Sequence, residues 1–246
     1  MIREAPTQHF TTIDSTNVEA HRLVAAGERG AKWIISDEQT TGRGRLGRRW
    51  QSPRGNLYTT LMLPFDGPQT AVSQAGFVVA LAVHDAVSQF VRGKNVSLKW
   101  PNDCLVDGRK VAGILCETLS HSPMTIAIGC GINIGSTAKN LPNPTARLEG
   151  ADVAEVFAEY RSAIANRMMQ WGSGTGFASI AQDWRDRAIG IGETVTIADG
   201  GKSHSGIFTG LADDGAMVIE LSTGPQGFYA GDVTIPSLEK LRTTPA

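Results

Sequence analysis

The first half of the chain alternates short apolar runs with polar punctuation. A strand over QHFTTI precedes DSTNVEAHRLVAAGERG, where Thr16-x-x-Glu19 has the spacing of a capping box and Val18, Leu23 and Val24 recur on a helical period. That pattern predicts a helix of about three turns starting near Ser15 or Thr16. WIIS reads as a short buried strand and GNLYTTLML as a β-rich alternating one. An apolar helix is predicted over 71–92, and VSLKW begins another strand. CLVDGRKVAGILCET reads as a hairpin whose Asp107-Gly108 pair supplies the positive φ angles of a tight turn. MTIAIGCGINIG is a further strand.

From Ala151 the period changes. Val153, Val156, Phe157, Tyr160, Ile164 and Met168 fall on one stripe of a long helix. Beyond Arg187 the chain alternates again, with turn signals at Asp199-Gly200-Gly201, Asp214-Gly215 and Gly224-Pro225. Four or five short strands there predict a small β-barrel. The expected organisation is α+β: a mixed-sheet domain with flanking helices over 1–189 and a small barrel over 190–246.

Bulk composition narrows the function classes. The 246 residues carry a formal net charge of -1, with 41% hydrophobic and 19% charged residues, so total charge does not mark a nucleic-acid binder. Cys104, Cys116 and Cys130 form no C-x-x-C pair, which favours a reducing compartment without structural zinc. No signal-peptide pattern opens the chain, and the longest apolar stretch, Ala75 to Val91, is interrupted by His84, Asp85 and Gln89. A cytoplasmic protein without a membrane span is the expectation.

Candidate chemistry gathers around GRGRLG, residues 42–47. Its letters fit the dinucleotide fingerprint, but that fingerprint needs a helix to start at the glycines, and RRWQSPRGN follows with Pro53 and Gly55 in the way. A phosphate-loop reading fails because Arg48 and Arg49 stand where Lys and Ser/Thr are required. Five arginines at 43, 45, 48, 49 and 54 beside Trp50 leave a nucleic-acid patch as an alternative, unsupported by a second basic stripe. KWPND (99–103) supplies Lys99, Asn102 and Asp103; the hairpin returns Lys110; GCGIN adds Asn133. Cations, one carboxylate and an amide suit polyphosphate held with magnesium. The histidines at 9, 21, 84, 121 and 204 have no ligand spacing, and there is no G-x-S-x-G. Phosphoryl or adenylyl transfer fits this toolkit.

STN (15–17), DEQTTGRGRLGRRWQSPRGNLY (37–58), KWPNDCLVDGRKVAGILCE (99–117), GCGIN (129–133) and the late AGDV, in this order, closely resemble biotin-protein ligases. The resemblance runs from about Phe10 to Ile235. It implies a mixed-sheet catalytic domain followed by an SH3-like barrel, and a two-step reaction: biotin and ATP give biotinyl-5′-AMP and pyrophosphate, then a lysine of a biotin carboxyl carrier protein domain attacks the mixed anhydride.

Carried over position by position, the resemblance places Ser15, Thr16, Asn17, Gln39, Arg43, Gly44, Arg45, Trp50, Lys110 and Gly113 at biotin. It places Arg43, Arg45, Lys99, Asn102, Lys110 and Asn133 at the nucleotide. Lys110, Lys99 and Arg45 would be catalytic, and Asp103 would hold Mg2+. A carboxylase carrier domain is the implied partner, without nucleic acid or membrane, and exposed hairpins suit pairing with the carrier or with a second copy. Lipoate-protein ligases share the fold and the adenylation chemistry and stand as the second enzyme reading. Two departures are visible. Leu46 stands where many members have a third arginine, which predicts weaker retention of the adenylate. The catalytic domain begins by about His9, leaving no room for the N-terminal helix-turn-helix domain through which some relatives repress transcription.

Overall fold

The computed structural model describes residues 2–137 and 144–243. After β1 (Thr7–Phe10) comes α1 (Thr16–Ala25), then β2 (Lys32–Ser36) and β3 (Leu57–Pro64). The apolar helix α2 (Ala75–Ser88) follows a 3-10 turn over Gln69–Gln74. Four strands then run in sequence: β4 (Val96–Lys99), β5 (Asp103–Val106), β6 (Arg109–His121) and β7 (Met124–Ile132). Helices α3 (Val153–Trp171) and α4 (Phe177–Arg185) lead into β8 (Thr194–Asp199), β9 (Lys202–Leu211), β10 (Met217–Leu221), β11 (Gly224–Phe228) and β12 (Asp232–Thr234). α5 (Pro236–Thr243) closes the described chain.

The first seven strands form a mixed sheet of order β1-β2-β3-β7-β6-β5-β4. Among the described residues only β1 and β2 run parallel in it, because α1 carries the chain back between them; short turns join β4, β5, β6 and β7 antiparallel, whereas β3 pairs antiparallel with β2 across the long arginine-bearing loop and with β7 across α2 and three strands. Asp107 and Gly108 take φ angles of 48° and 73°, as the hairpin reading of this dipeptide requires. The five later strands make an antiparallel sheet of order β11-β10-β9-β8-β12.

One face of the large sheet carries Leu57, Leu61, Ile128, Cys130 and Ile132 against α2 and α3. α2 is buried nearly all round, from Phe77 to Val83 without a break, because the sheet covers one side and α3 and α4 the other. The segment Gln69–Ser88 is long and apolar enough to cross a membrane by composition, but most of it is packed inside the protein. α3 buries the predicted Val156, Tyr160, Ile164 and Met168. Asp152 caps it by accepting from Ala154 N at 2.8 Å and Glu155 N at 3.1 Å, and Gly172 ends it at φ 54°.

Several local expectations change. Ser15, not Thr16, is the N-cap of α1, and no side-chain cap bond forms. The Thr16 hydroxyl instead donates to Gln39 Oε1 at 3.2 Å, and Glu19 pairs with Arg22 at 3.1 Å, so the capping-box letters serve tertiary contacts. The helix predicted from 71 starts at Ala75, and α4 and α5 were not anticipated. α4 is only 9 residues long and follows Gly172-Ser173-Gly174, which reads as loop until Phe177, Ile180, Ala181 and Trp184 are seen buried together.

Candidate active site

The site is built on the face of the large sheet opposite α2 and α3. Residues directly opposite across neighbouring strands share a face, so the register aligns Phe10, Ser36, Tyr58, Gly131, Gly113, Asp103 and Lys99 in one transverse row. A second row holds Ile34, Thr60, Gly129 and Leu115, and a third holds Met62, Ala127 and Glu117. α1 lies on this face, with Ala20 packed among Ile34, Met62 and Ala127.

In the first row the facing glycines leave a flat window, and Trp50 lies over it. A Cβ added at Gly131 would come within 2.6 Å of Trp50 Nε1, and one at Gly113 within 2.9 Å of Trp50 Cζ3. Lys110 extends its ammonium 5.2 Å from the Trp50 ring centre and pairs with Asp103 Oδ1 at 2.6 Å. The Trp50 indole nitrogen is buried without a hydrogen-bond partner. Lys99 ends β4 opposite Asp103 and is half-buried.

The second row receives the start of α1. Thr60 donates to Asn17 Oδ1 at 2.6 Å, and its hydroxyl lies 2.8 Å from Thr16 Oγ1. Gln39 accepts from Thr16 N at 2.9 Å and donates from its amide to Ser52 Oγ at 2.9 Å. Gly129 has no side chain, and a Cβ there would collide with Asn17 Oδ1. Ser15, Thr16 and Asn17 are all buried, and the side chains of Thr16 and Asn17 are held by other polar side chains.

The arginine loop is an internally bonded hairpin. Gly44 N donates to Arg48 O at 2.7 Å and Trp50 N to Gly42 O at 2.9 Å, around a 3-10 turn at Arg45–Gly47. No α-helix follows the glycines before Ala75, as the rejection of a dinucleotide fingerprint expects. Leu46 is 73% exposed at the loop tip, with φ 56°. Arg43 pairs with Glu117 at 3.2 Å, and Arg48 contacts Asp232 at the start of β12, tying the loop to both sheets. Burial pulls the Arg45 pKa below its ordinary value against the opposing pull of Asp232 and Asp103. Arg45 also lines a cleft of about 310 Å³ with Trp100, Asn102, Glu117, Asp214 and Tyr229, between the middle of β6 and the smaller sheet.

The structure therefore brings together Lys110, Asp103, Trp50 and Gly113, and separately Thr16, Asn17 and Gln39. Asn102 and Asn133 face backbone. The Asn102 amide donates to Ile114 O at 2.8 Å, and the Asn133 amide donates to Ala146 O at 3.1 Å, fixing the irregular segment that precedes α3. Three contributors escaped the sequence reading. Glu117 and Thr60 carry no motif spacing of their own, and only the register reveals them. Asn56 accepts from Ile134, Gly135 and Ser136 N at 2.8, 3.0 and 3.1 Å, and so shapes the turn after β7. Among the described residues no group of three His, Cys, Asp or Glu side chains is placed to hold a metal ion.

A mixed sheet with an arginine hairpin over a glycine window, followed by a small antiparallel sheet, is the layout of a known enzyme family. The profile of the Biotin/lipoate A/B protein ligase family matches residues 9–133, and that of the Biotin protein ligase C terminal domain matches residues 190–235. The chain belongs to the biotin/lipoate A/B protein ligase family. It is 35% identical over 232 residues to a biotin–[acetyl-CoA-carboxylase] ligase of Paracoccus denitrificans, covering 89% of this chain and 96% of that one. A ligase of the same description from Mycobacterium tuberculosis is 30% identical, over 89% of this chain and 85% of its own length. The biotin protein ligase of Aquifex aeolicus, solved with biotin and ATP, superposes with a TM-score of 0.78 at 25% identity, over 93% of this chain and 97% of that one.

Proposed function

We propose that the chain is an ATP-dependent ligase that joins biotin to a lysine of a biotin carboxyl carrier protein domain. In the first step a biotin carboxylate oxygen attacks the α-phosphorus of ATP and pyrophosphate leaves. In the second the carrier amine attacks the acyl carbon, AMP leaves and the amine proton goes to solvent. The observation that carries the reading is the Lys110–Asp103 pair at 2.6 Å beside Trp50 and the glycine window, on the same face as the polar group of Thr16, Asn17 and Gln39.

The polar group would take the ureido ring, with Ser15 beside it. Trp50 and the floor of Gly113 and Gly131 would wall the acyl chain, and Arg43, Gly44 and Arg45 would cover it. Lys110 would meet the biotin carboxylate and then the acyl phosphate, where a fixed cation stabilises charge developing on the α-phosphate. Lys99 would neutralise phosphate charge, and Asn102 and Asn133 would border the nucleotide. Magnesium keeps most of its water and rides on substrate phosphates with one or two carboxylates, so the lone carboxylate of Asp103 fits it better than a protein cage would. When bound, the ion would neutralise polyphosphate charge.

Residues 1–189 would form the catalytic unit and 190–246 the smaller one, read as an SH3-like barrel. Beyond Ile114, among the described residues, β6 pairs only with β7. That open edge would receive the carrier or a second copy by strand addition. Three free cysteines suit a cytoplasmic setting. Incubation with ATP, magnesium, biotin and a carrier domain should add one biotin to one carrier lysine, read by mass. Folded protein that releases pyrophosphate with lipoate but not with biotin would overturn the choice of substrate.

A further inference from the structure

We infer that Glu117 is a positioning residue that straps the arginine loop to the floor of the biotin pocket. This role rests on the biotin-ligase reading above. Glu117 shares a sheet face with Gly113 and Leu115 and stands opposite Ala127. Its carboxylate is half-buried and divided between two elements. Oε2 accepts from Asn17 Nδ2 at 2.7 Å, at the start of α1, and Oε1 pairs with Arg43 at 3.2 Å, in the loop.

Asn17 is fixed from every side. It is 4% exposed; its Oδ1 accepts from Thr60 at 2.6 Å and its Nδ2 reaches Leu115 O at 3.3 Å as well as Glu117. The carboxylate thus sits on an immobile base and presents its second oxygen to Arg43, whose side chain remains 45% exposed. A charge-assisted bond from so rigid an acceptor costs little ordering entropy on one side, so it holds the loop more firmly than a pair of two mobile side chains. Arg43 and Glu117 lie 74 positions apart in the chain, so their pair closes the loop across the pocket rather than bracing it locally.

The test follows escape of biotinyl-AMP from the full chain, supplied with ATP, magnesium and biotin, into a large excess of unlabelled biotin. Glu117→Gln keeps an acceptor for Asn17 but loses the charge that holds Arg43. Escape should rise about tenfold, the loss of one partly exposed charge-assisted bond. Biotin affinity should fall less in Glu117→Gln than in Glu117→Ala, which also strips Asn17 of its acceptor. Adding Glu117→Gln to Arg43→Gln should increase escape little further, because the carboxylate then has no guanidinium left to hold. Unaltered escape in Glu117→Gln, or full additivity of the two substitutions, overturns the role. Should Glu117→Ala fail to fold, the cycle of Glu117→Gln with Arg43→Gln still decides. Wild-type protein that makes no biotinyl-AMP defeats the ligase reading instead, whereas competent wild type with an indifferent Glu117→Gln defeats only the strap.

Discussion

Lys110 Nζ stands 2.6 Å from Asp103 Oδ1 and 5.2 Å from the centre of the Trp50 ring. The carboxylate and the aromatic face hold a flexible four-carbon side chain over one spot, so its charge is placed before substrate arrives. Preorganised charge of this kind is worth most in the transition state. Lys110→Ala should lower biotin-dependent pyrophosphate release by about 100-fold or more, the loss usual for one stabilising group. The variant should still unfold cooperatively, with a modest loss of stability because Asp103 loses its cation; wild-type release would remove Lys110 from the reaction.

Gly131→Ala tests the glycine window. The new methyl would lie 2.6 Å from Trp50 Nε1 and 2.7 Å from Trp50 Cε2, so the indole must move off the sheet. Overpacking costs roughly 1–3 kcal/mol, which corresponds to about a 5- to 150-fold loss of biotin affinity by calorimetry if Trp50 walls the pocket. Gly30→Ala, whose added Cβ meets nothing within 4 Å, is the control and should bind biotin as wild type does.

Arg45→Gly separates formation of the intermediate from its retention. The Arg45 side chain is half-buried, lies within the electrostatic reach of Asp232 and Asp103, and lines the cleft from a loop that Arg43 and Arg48 pin elsewhere. Adenylation should continue while biotinyl-AMP appears free in solution, detected by chromatography of a reaction without carrier. Leu46→Arg should shift the balance the other way, since it adds a cation at an exposed loop tip. Equal retention in all three proteins would show that loop charge does not hold the adenylate.

How far the sequence reached depended on the range of the information. The Asp107-Gly108 hairpin, the stripe of α3 and the alternating end of the chain are local, set by φ preferences and by periods of 2 and 3.6 residues, and all are present. The sheet order is not local: β3 pairs with β7, on the far side of α2 and three intervening strands, and nothing near Thr60 announces Gly129. That is why Lys110 and Asp103, seven residues apart across one turn, were legible as partners in chemistry, whereas Glu117 and Thr60 were not. Thr16 marks the conflict between levels: its letters promise a capping box, but the site uses its hydroxyl.

Away from the site, Arg167 joins α2, α3 and α4. Its Nε donates to Asp85 Oδ2 at 2.6 Å and its Nη1 to Asp183 Oδ2 at 2.5 Å, and the arginine side chain is only 13% exposed. Burial pushes the Asp85 pKa up, but hydrogen bonds from His84 and Arg167 outweigh it and bring the group from 3.8 to about 2. A folded pKa below the unfolded one means that this carboxylate stabilises the fold above pH 3.8 and loses that contribution as pH falls towards 2. Arg167→Met leaves two carboxylates without their shared cation and should cost about 2 kcal/mol at pH 7, less than a fully buried pair because Asp85 and Asp183 are partly wetted. Urea unfolding should therefore show a clear gap between wild type and variant at pH 7 that narrows steadily between pH 4 and pH 2, as protonation removes from wild type what the substitution has already removed. A gap that stays constant through this window would mean that Arg167 stabilises the helices by packing its stem rather than by holding Asp85 ionised.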